Sequence, residues 1–375
     1  MNWYNTSNKR MRFNDIFSQL YIRTTACRLG VIMKKPTLQE IANSLGVSRT
    51  TVWKVFSGQE GVSDDLRNRI IVKAQEMNYK LPEGIRSSQT PEPEPPVNIA
   101  LAVCRPETSI FWMDIIHQIA KELSCHNVNL VYTYLPSFIS WNYVLPASLT
   151  NGNTHGIIIM NVYNEELLRL LAACPIPKVF FDTATAVPAA ELNGDLLLTE
   201  NYTSISKITE HLIKKGRKSF GFIGDINYAK SNFERFDGFS RTLLQHGLPV
   251  NPELNLTSSI GIDTYKEEIE SFLDRLPSMP DAFVCASDYV GCILMQLLLK
   301  RGIRIPEDVA LSGFDANLEN PLAENLTTVQ VFNQEIGFRL ALQILYRVQH
   351  PNVPFETTYI ATKVILRGST GDPII

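Results

Sequence analysis

The chain has 375 residues, of which 45% are hydrophobic and 19% charged, a composition that excludes a disordered or collagen-like protein and favours two or three globular domains. Its net charge of −3 hides an asymmetry: residues 1–80 contain thirteen Lys and Arg against six Asp and Glu, a balance of +7, so the remainder carries −10. This pattern predicts a polyanion-binding module joined to a part that does not bind polyanions.

Residues 1–33 are an N-terminal extension without clear periodicity, and two interpretations stay open. Either translation begins at Met33, or the extension is a basic arm. It contains no apolar stretch typical of a secretory signal, and no apolar run in the chain reaches the length of a membrane span. Among the cysteines, Cys104 and Cys285 lie in apolar runs, which favours buried, reduced thiols. We therefore expect a cytoplasmic protein that does not associate with membranes.

Residues 34–80 are predicted to form an all-α DNA-binding domain. Thr37 and Glu40 have the spacing of a capping box, and an apolar stripe follows until Gly46 ends the first helix. Ser48 is the predicted N-cap of a second helix, and the turn between them is so short that the two helices must cross steeply. A third helix completes the core. This is a helix-turn-helix pattern, whose second helix lies in the major groove of double-stranded DNA.

The second helix carries polar and aromatic residues away from its predicted buried stripe of Val52, Val55 and Phe56. The predicted DNA-binding residues are Ser48, Arg49, Thr50, Trp53 and Lys54. Arg49 can donate two hydrogen bonds to guanine, and the Thr50 methyl group can contact thymine. Lys54 can reach a base or a phosphate. Trp53 is expected to pack against the DNA backbone or a thymine methyl group, with a place in the core as the alternative.

Residues 81–96 are predicted to be a linker, because the stretch PEGIRSSQTPEPEPP is rich in Pro, Glu and Ser. From residue 97 to about 370 the pattern changes to α/β alternation. Seven short apolar runs are typical of buried parallel strands: VNIALAVC, NLVYTYL, GIIIMN, KVFF, SFGFIGD, DAFVCASD and VALSGFD. Such units build doubly wound sheets that bind ligands at the carboxyl ends of their strands.

The segment TLQEIANSLGVSRTTVWKVFSGQEGVSDDLRNRIIVKAQEMNYK resembles the headpiece of the lactose-repressor (LacI/GalR) family of bacterial transcription regulators. The stretches NFERFDGF, PDAFVCASD, RGIRIPEDVALSGFD and NLTTVQ extend the resemblance through the α/β part. It implies a multidomain protein in which a helix-turn-helix headpiece precedes a two-lobed, periplasmic-binding-protein-like (type I) sensor domain with parallel sheets. The chain is expected to cross between the lobes three times.

Polar residues at the ends of the predicted strands indicate where a ligand binds. Asp182 and Asp315 each end a strand and Arg235 opens a helix; two carboxylates and a guanidinium around a cleft suit the vicinal hydroxyl groups of a sugar. The resemblance implies that these three contact the effector, together with Phe111 and Ser287. The alternatives are that Asp315 only caps a turn and that Phe111 belongs to the core of its lobe. The neighbouring Asp288 is predicted to cap the helix that follows.

The resemblance also implies a homodimer that binds a near-palindromic operator and responds to a carbohydrate effector, with repression favoured over activation. Two other functions stay open: a solute-binding protein of a transporter, and a DNA-binding protein whose sensor domain serves only dimerisation. No sequence typical of a nucleophile elbow, a zinc protease or a phosphate-binding loop is present, and the histidines lack metal-ligand spacing. We expect no enzymatic activity, no cofactor and no metal.

The linker departs from the family pattern. Relatives carry a short hinge helix whose leucine inserts into the minor groove, whereas Ser88 stands at that position here. Gly84 disfavours a helix by about 1 kcal/mol relative to Ala, and Glu83 is repelled by phosphate. A serine side chain is too small and polar to unstack a base step. We expect residues 81–96 to stay non-helical on DNA, so that the operator is bent little.

Overall fold

The computed structural model describes residues 36–77, 79, 81–82, 96–104, 109–261, 264–317 and 319–373. The chain divides into two compact units, with the boundary between Pro96 and Val97. The N-terminal extension and linker residues 83–95 lie outside the described residues. The predicted limits of these two segments, and the expected non-helical linker, therefore remain predictions.

The first unit contains three helices: α1 (Leu38–Leu45), α2 (Arg49–Phe56) and α3 (Asp64–Glu76). The predicted capping box is confirmed, since the Glu40 amide donates to the Thr37 hydroxyl and the Thr37 amide donates to the Glu40 carboxylate. Gly46 ends α1 with a φ of 66°, a left-handed conformation that glycine adopts without strain. Ser48 and Ser63 cap α2 and α3, as their positions in the sequence predict.

The core of this unit draws on all three helices. Its buried side chains are Ile41, Ala42, Val52, Val55, Phe56, Ile70, Ile71 and Ala74. Tyr79 adds to the core from outside the helices, because its ring stacks on Phe56 with the centroids 5.3 Å apart. The stripe predicted for the second helix is therefore the buried face of α2, and its remaining positions are left for other contacts.

The second unit alternates strands and helices. Its strands are β1 (Asn98–Val103), β2 (Asn129–Tyr134), β3 (Gly156–Met160), β4 (Lys178–Phe181), β5 (Asp195–Thr199), β6 (Phe220–Ile223), β7 (Ala282–Cys285), β8 (Ala310–Ser312), β9 (Thr328–Gln330), β10 (Thr357–Ile360) and β11 (Lys363–Ile365). Its α-helices are α4 (Ile110–Cys125), α5 (Ala147–Thr150), α6 (Glu165–Ala173), α7 (Tyr202–Lys214), α8 (Lys230–Gln245), α9 (Tyr265–Arg275), α10 (Asp288–Lys300) and α11 (Asn333–Gln349). Short 3-10 helices span Ala189–Glu191, Pro252–Leu254, Pro321–Asn325 and Gly368–Thr370.

These strands form two parallel sheets, one in each lobe. The first lobe has six strands in the order β10-β5-β4-β3-β1-β2, and the second has three in the order β6-β7-β8. A two-stranded antiparallel pair, β9 with β11, is joined to β8 by a bridge between Ser312 and Thr327. The chain crosses between the lobes after β5, after β9 and after β10, which gives the three crossings that the resemblance implied.

The inner strands of the first sheet, β1, β3, β4 and β5, are buried on both faces. Successive side chains on a strand point to opposite faces, so each strand can contribute to two cores. On β1, Ile99, Leu101 and Val103 share a core with α4 and α11, whereas Ala100 and Ala102 share another with α6. This explains why the strands read as continuous apolar runs. Cys104 and Cys285 are buried and form no disulfide, as predicted.

The predicted fold class is confirmed, and the seven predicted apolar runs form β1, β2, β3, β4, β6, β7 and β8. The prediction missed four strands, β5, β9, β10 and β11. Of these, β9 and β11 have three residues each, too few to show a period. In the described part of the chain, no helix is long and apolar enough to span a membrane.

Candidate functional site

Helix α2 presents the five predicted DNA-binding residues outside the core of the first unit. Arg49 and Thr50 are exposed, Lys54 is half-buried, and Trp53 exposes 47% of its surface. The structure thus excludes the alternative that Trp53 is a core residue. A helix with its apolar side buried and a cationic, aromatic face directed outward has the arrangement that major-groove binding requires. The base contacts themselves remain a prediction.

Ser48 has a defined local role at the start of α2. Its side-chain oxygen accepts a hydrogen bond from the Thr51 amide at 3.1 Å and lies 2.8 Å from the Thr51 hydroxyl. This cap satisfies a free backbone donor and fixes the first turn of the helix, where Arg49 and Thr50 lie. Ser48 therefore orients the residues that are predicted to read bases.

In the second unit, Asp182 follows β4 at the carboxyl end of its strand and has a φ of 63°. Its side chain is buried and accepts three hydrogen bonds: from the Ser231 hydroxyl at 2.7 Å, the Thr183 amide at 2.8 Å and the Tyr163 hydroxyl at 3.2 Å. Burial raises the pKa of Asp182, and these hydrogen bonds together with Arg235 partly offset the rise. The Ser231 contact joins the first lobe to α8 of the second.

Arg235 is buried on α8, and its guanidinium contacts protein groups on several sides. Nε donates to the Asn201 side chain at 3.0 Å, and Nη1 donates to the carbonyl oxygen of Ala286. The guanidinium carbon lies 3.6 Å above the centre of the Phe314 ring. Nη2 is 3.7 Å from the Asp315 carboxylate. The predicted effector residue is thus also a structural link between α8 and the ends of β7 and β8.

Asp315 follows β8, with a φ of 110°, and its amide donates to the carbonyl oxygen of Val329 on β9. Burial raises the pKa of its carboxyl group to about 6, against the opposing effect of Arg235. The backbone bonding gives Asp315 a part in the turn, and its carboxylate also faces a buried guanidinium. Asp315 and Arg235 therefore lie side by side, as predicted, while their contact with a ligand remains a prediction.

Ser287, and not Asp288, is the N-cap of α10, while contact of Ser287 with an effector remains a prediction. Ser287 caps α10, because its side-chain oxygen accepts from the Val290 amide at 3.3 Å. Asp288 is instead the first helical residue and is 2% exposed. It contacts the Thr328 hydroxyl at 2.6 Å and the Asn317 amide at 2.8 Å. The prediction that Asp288 caps the helix is wrong, because its side chain turns inward toward β9.

Phe111 lies in the first turn of α4 and is half-buried. Its ring meets Trp112 edge-on at 5.1 Å, and Trp112 in turn lies 5.9 Å from Phe181, the residue before Asp182. Both rings pack against the main core. The core alternative for Phe111 is therefore supported in part, and its stacking on an effector remains a prediction.

Two tyrosines that the sequence gave no reason to select lie between the lobes. Tyr163, after β3, and Tyr228, before α8, bring their ring centroids to 4.5 Å. Burial, followed by the Asp182 charge, raises the pKa of Tyr163 well above its usual value, so it stays a neutral hydrogen-bond donor. Both tyrosines line a cavity of about 570 Å³ that none of the five predicted effector residues lines.

Together, these side chains can bind a polar, hydroxyl-rich molecule. Asp182, Arg235 and Asp315 provide acceptors and donors at the carboxyl ends of parallel strands, where α/β sheets bind ligands. Across the described ranges, no three His, Cys, Asp or Glu residues are grouped so that they could hold a metal ion. The arrangement fits recognition of a small molecule through hydrogen bonds and aromatic packing.

Each of the two units matches a known protein family model. Residues 37–81 match the family model described as bacterial regulatory proteins, lacI family, and residues 209–370 match a periplasmic binding protein-like domain. Catabolite control protein A of Staphylococcus aureus (strain Mu50 / ATCC 700699) is 25% identical over 347 residues, which cover 87% of this chain and 98% of that protein.

Two solved structures share the fold over nearly the whole chain. A complex of the transcriptional regulator CelR with cellobiose has a TM-score of 0.63 at 22% identity, covering 89% of this chain and 99% of its own. The lac repressor dimer bound to operator and the anti-inducer ONPF has a TM-score of 0.62 at 19% identity, covering 90% and 99%.

Proposed function

We propose that the chain is a transcriptional repressor of the LacI family of bacterial regulatory proteins, and that a small-molecule effector controls its operator affinity. The family consists of transcription regulators, which are not enzymes. The observation that carries the proposal is the position of α2: its apolar side forms the core of the first unit, and Arg49, Thr50 and Trp53 remain outside it.

The DNA-binding part of the proposal assigns base recognition to Arg49, Thr50 and Lys54 and a packing role to Trp53. One headpiece contacts too few base pairs for operator-level specificity, so the protein acts as a homodimer on a near-palindromic site. The lac repressor, whose fold this chain shares, was solved as a dimer on its operator. Because an operator lies on the chromosome, the protein works in the cytoplasm.

The sensing part of the proposal assigns effector binding to Asp182, Arg235 and Asp315, with Phe111 and Ser287 at the rim. A sugar or sugar derivative fits these groups because its neighbouring hydroxyl groups both donate and accept hydrogen bonds. CelR, which shares the fold, was solved with cellobiose. The cleft lies between the two lobes, so an effector that binds one arrangement of the lobes more tightly shifts the protein toward that arrangement.

The experiment first selects operator sequences from a random DNA library with the full-length protein, and then measures their affinity by fluorescence anisotropy. Arg49→Ala should cost roughly 1–3 kcal/mol at one base position, as expected for a lost bidentate contact. Arg69→Ala is a matched control, because it removes the same charge from an exposed site on α3. An unchanged base preference in Arg49→Ala would contradict the assignment of α2.

A second measurement separates an effector-controlled regulator from a DNA-binding protein with a purely dimerising sensor. The operator complex is titrated with a panel of sugars, and the change in affinity is recorded for each. At least one sugar should change operator affinity by about fivefold or more, the lower end of typical allosteric coupling. A protein that binds its operator with equal affinity in every sugar would be the dimerising alternative.

A further inference from the structure

The cavity of about 570 Å³ lies beside one predicted effector residue, Asp182, to which its lining residue Tyr163 donates a hydrogen bond. One side is formed by Tyr163, whose hydroxyl donates to Asp182, and by Tyr228, whose ring contacts that of Tyr163. One aromatic side chain therefore separates the cavity from the Asp182 carboxylate. A ligand that contacts both Asp182 and this space would pass beside the Tyr163 ring.

A volume of about 570 Å³ is in the usual range of small-molecule pockets, so the cavity can hold a sugar ring. The predicted effector residues lie outside it. A ligand that contacts both places therefore needs a second ring, near Asp182.

The lining combines aromatic rings with an unused hydrogen-bonding group. Tyr163, Tyr228 and Phe138 line it, and aromatic rings pack well against the apolar face of a sugar ring. The Ser137 hydroxyl oxygen is buried at the cavity and has no hydrogen-bond partner among the described protein groups. A buried polar atom without a partner is costly, so a hydroxyl group of a ligand would stabilise it.

The charges at the cavity disfavour an anion. Glu165 and Glu166 lie in the first turn of α6 and already match its positive end. Among the described residues that line the cavity, Arg169 is the one basic residue, and its guanidinium lies 3.2 Å from Glu165 and 3.5 Å from Glu191. A phosphate in this cavity would meet two carboxylates and an arginine that is already paired.

We propose that this cavity is an outer subsite that holds the second ring of an uncharged effector with two or more linked sugar rings. This proposal rests on the proposed function and restricts the effector to uncharged molecules with at least two sugar rings. The inner ring occupies the region of Asp182, Arg235 and Asp315. The outer ring packs on the aromatic lining and bonds to Ser137, and sugar phosphates are excluded.

The test is calorimetric titration of the full-length protein with matched sugars: glucose, galactose and xylose; cellobiose, maltose, lactose and xylobiose; and glucose 6-phosphate and trehalose 6-phosphate. The tightest ligand should be an unphosphorylated disaccharide that binds about tenfold or more tightly than its component monosaccharide. Its affinity should fall about fivefold or more in Phe138→Ala, while binding of the monosaccharide is unchanged.

Trp141→Ala is the matched control, because Trp141 lies on the same segment, is 96% exposed and does not line the cavity. It should leave both affinities unchanged. The proposal is overturned if a monosaccharide or a phosphorylated sugar binds most tightly, if no sugar in the panel binds, or if the two variants behave alike. Disaccharide binding without any change in operator affinity would instead contradict the proposed regulation and leave the outer subsite standing.

Discussion

Replacing Asp288 with Asn should make the stability of the protein less sensitive to pH. Burial, together with the nearby Asp315 charge, raises the pKa of Asp288 from 3.8 to about 8. Between these two values the folded protein holds one proton that the unfolded chain has lost. Stability from this group is therefore fully present below about pH 3.8 and is lost as the pH rises toward 8.

The size of the effect follows from that single proton. One proton difference changes the free energy of unfolding by about 1.4 kcal/mol for each pH unit, so the wild type should lose roughly 2–3 kcal/mol from this group between pH 5 and pH 7. Asn mimics the protonated carboxyl group: its oxygen can accept from the Asn317 amide, and its nitrogen can donate to the Thr328 hydroxyl. The variant should match the wild type below about pH 3.8, exceed it somewhat at pH 5, and exceed it most at pH 7.

The assay is urea-induced unfolding, followed by circular dichroism at pH 5, 6 and 7, for the wild type and both variants. Other groups titrate alike in the wild type and the variant, so their contributions cancel in the difference between the two free energies of unfolding. Asp274→Asn serves as the control, because the Asp274 side chain is 64% exposed and its replacement should give no growing difference. Parallel pH profiles for the wild type and Asp288→Asn would mean that Asp288 is ionised in the folded protein, and the reasoning would fail.

Three further outcomes are expected. Arg347→Met should lower the free energy of unfolding by about 3–5 kcal/mol, because it leaves the Asp195 carboxylate buried without its bidentate guanidinium; a loss below about 1 kcal/mol in urea unfolding would contradict this. Asp315→Ala should abolish the effector response in the anisotropy assay and leave operator binding intact. Arg235→Ala should abolish the response as well, and it should also lower the melting temperature, because Asn201 and the Ala286 carbonyl group lose their hydrogen-bond partner. A circular-permutation bending assay should show little operator bending; a sharp central kink that Ile85→Ala abolishes would show that Ile85 inserts into the minor groove.

Local signals predicted the headpiece well. Thr37, Glu40, Gly46 and Ser48 act within a few residues of their own positions, so their roles follow from spacing and side-chain chemistry alone. The stripe on α2 follows from helical periodicity. The stacking of Tyr79 on Phe56 joins positions 23 residues apart, and local spacing did not predict it.

The ligand cleft was only partly predictable. Polar residues that end apolar strands indicated Asp182 and Asp315, because parallel strands direct their carboxyl ends to one edge. The link between Tyr163 and Tyr228 joins positions 65 residues apart in different lobes, and no local pattern reports it. Asp288 was assigned the wrong role, because either of two neighbouring polar residues can cap a helix and only the fold shows which one turns inward.

The tryptophans lie at positions from which their fluorescence can report DNA binding and ligand binding separately. The chain has four, and Trp3 lies outside the described residues. Trp53 is on α2, Trp112 packs beside Phe181 at the cleft, and Trp141 is almost wholly in solvent. Intrinsic fluorescence therefore carries separate signals without an attached dye: operator binding should shield Trp53 from iodide quenching, cleft occupation should shift the emission of Trp112, and Trp141 should stay quenchable throughout.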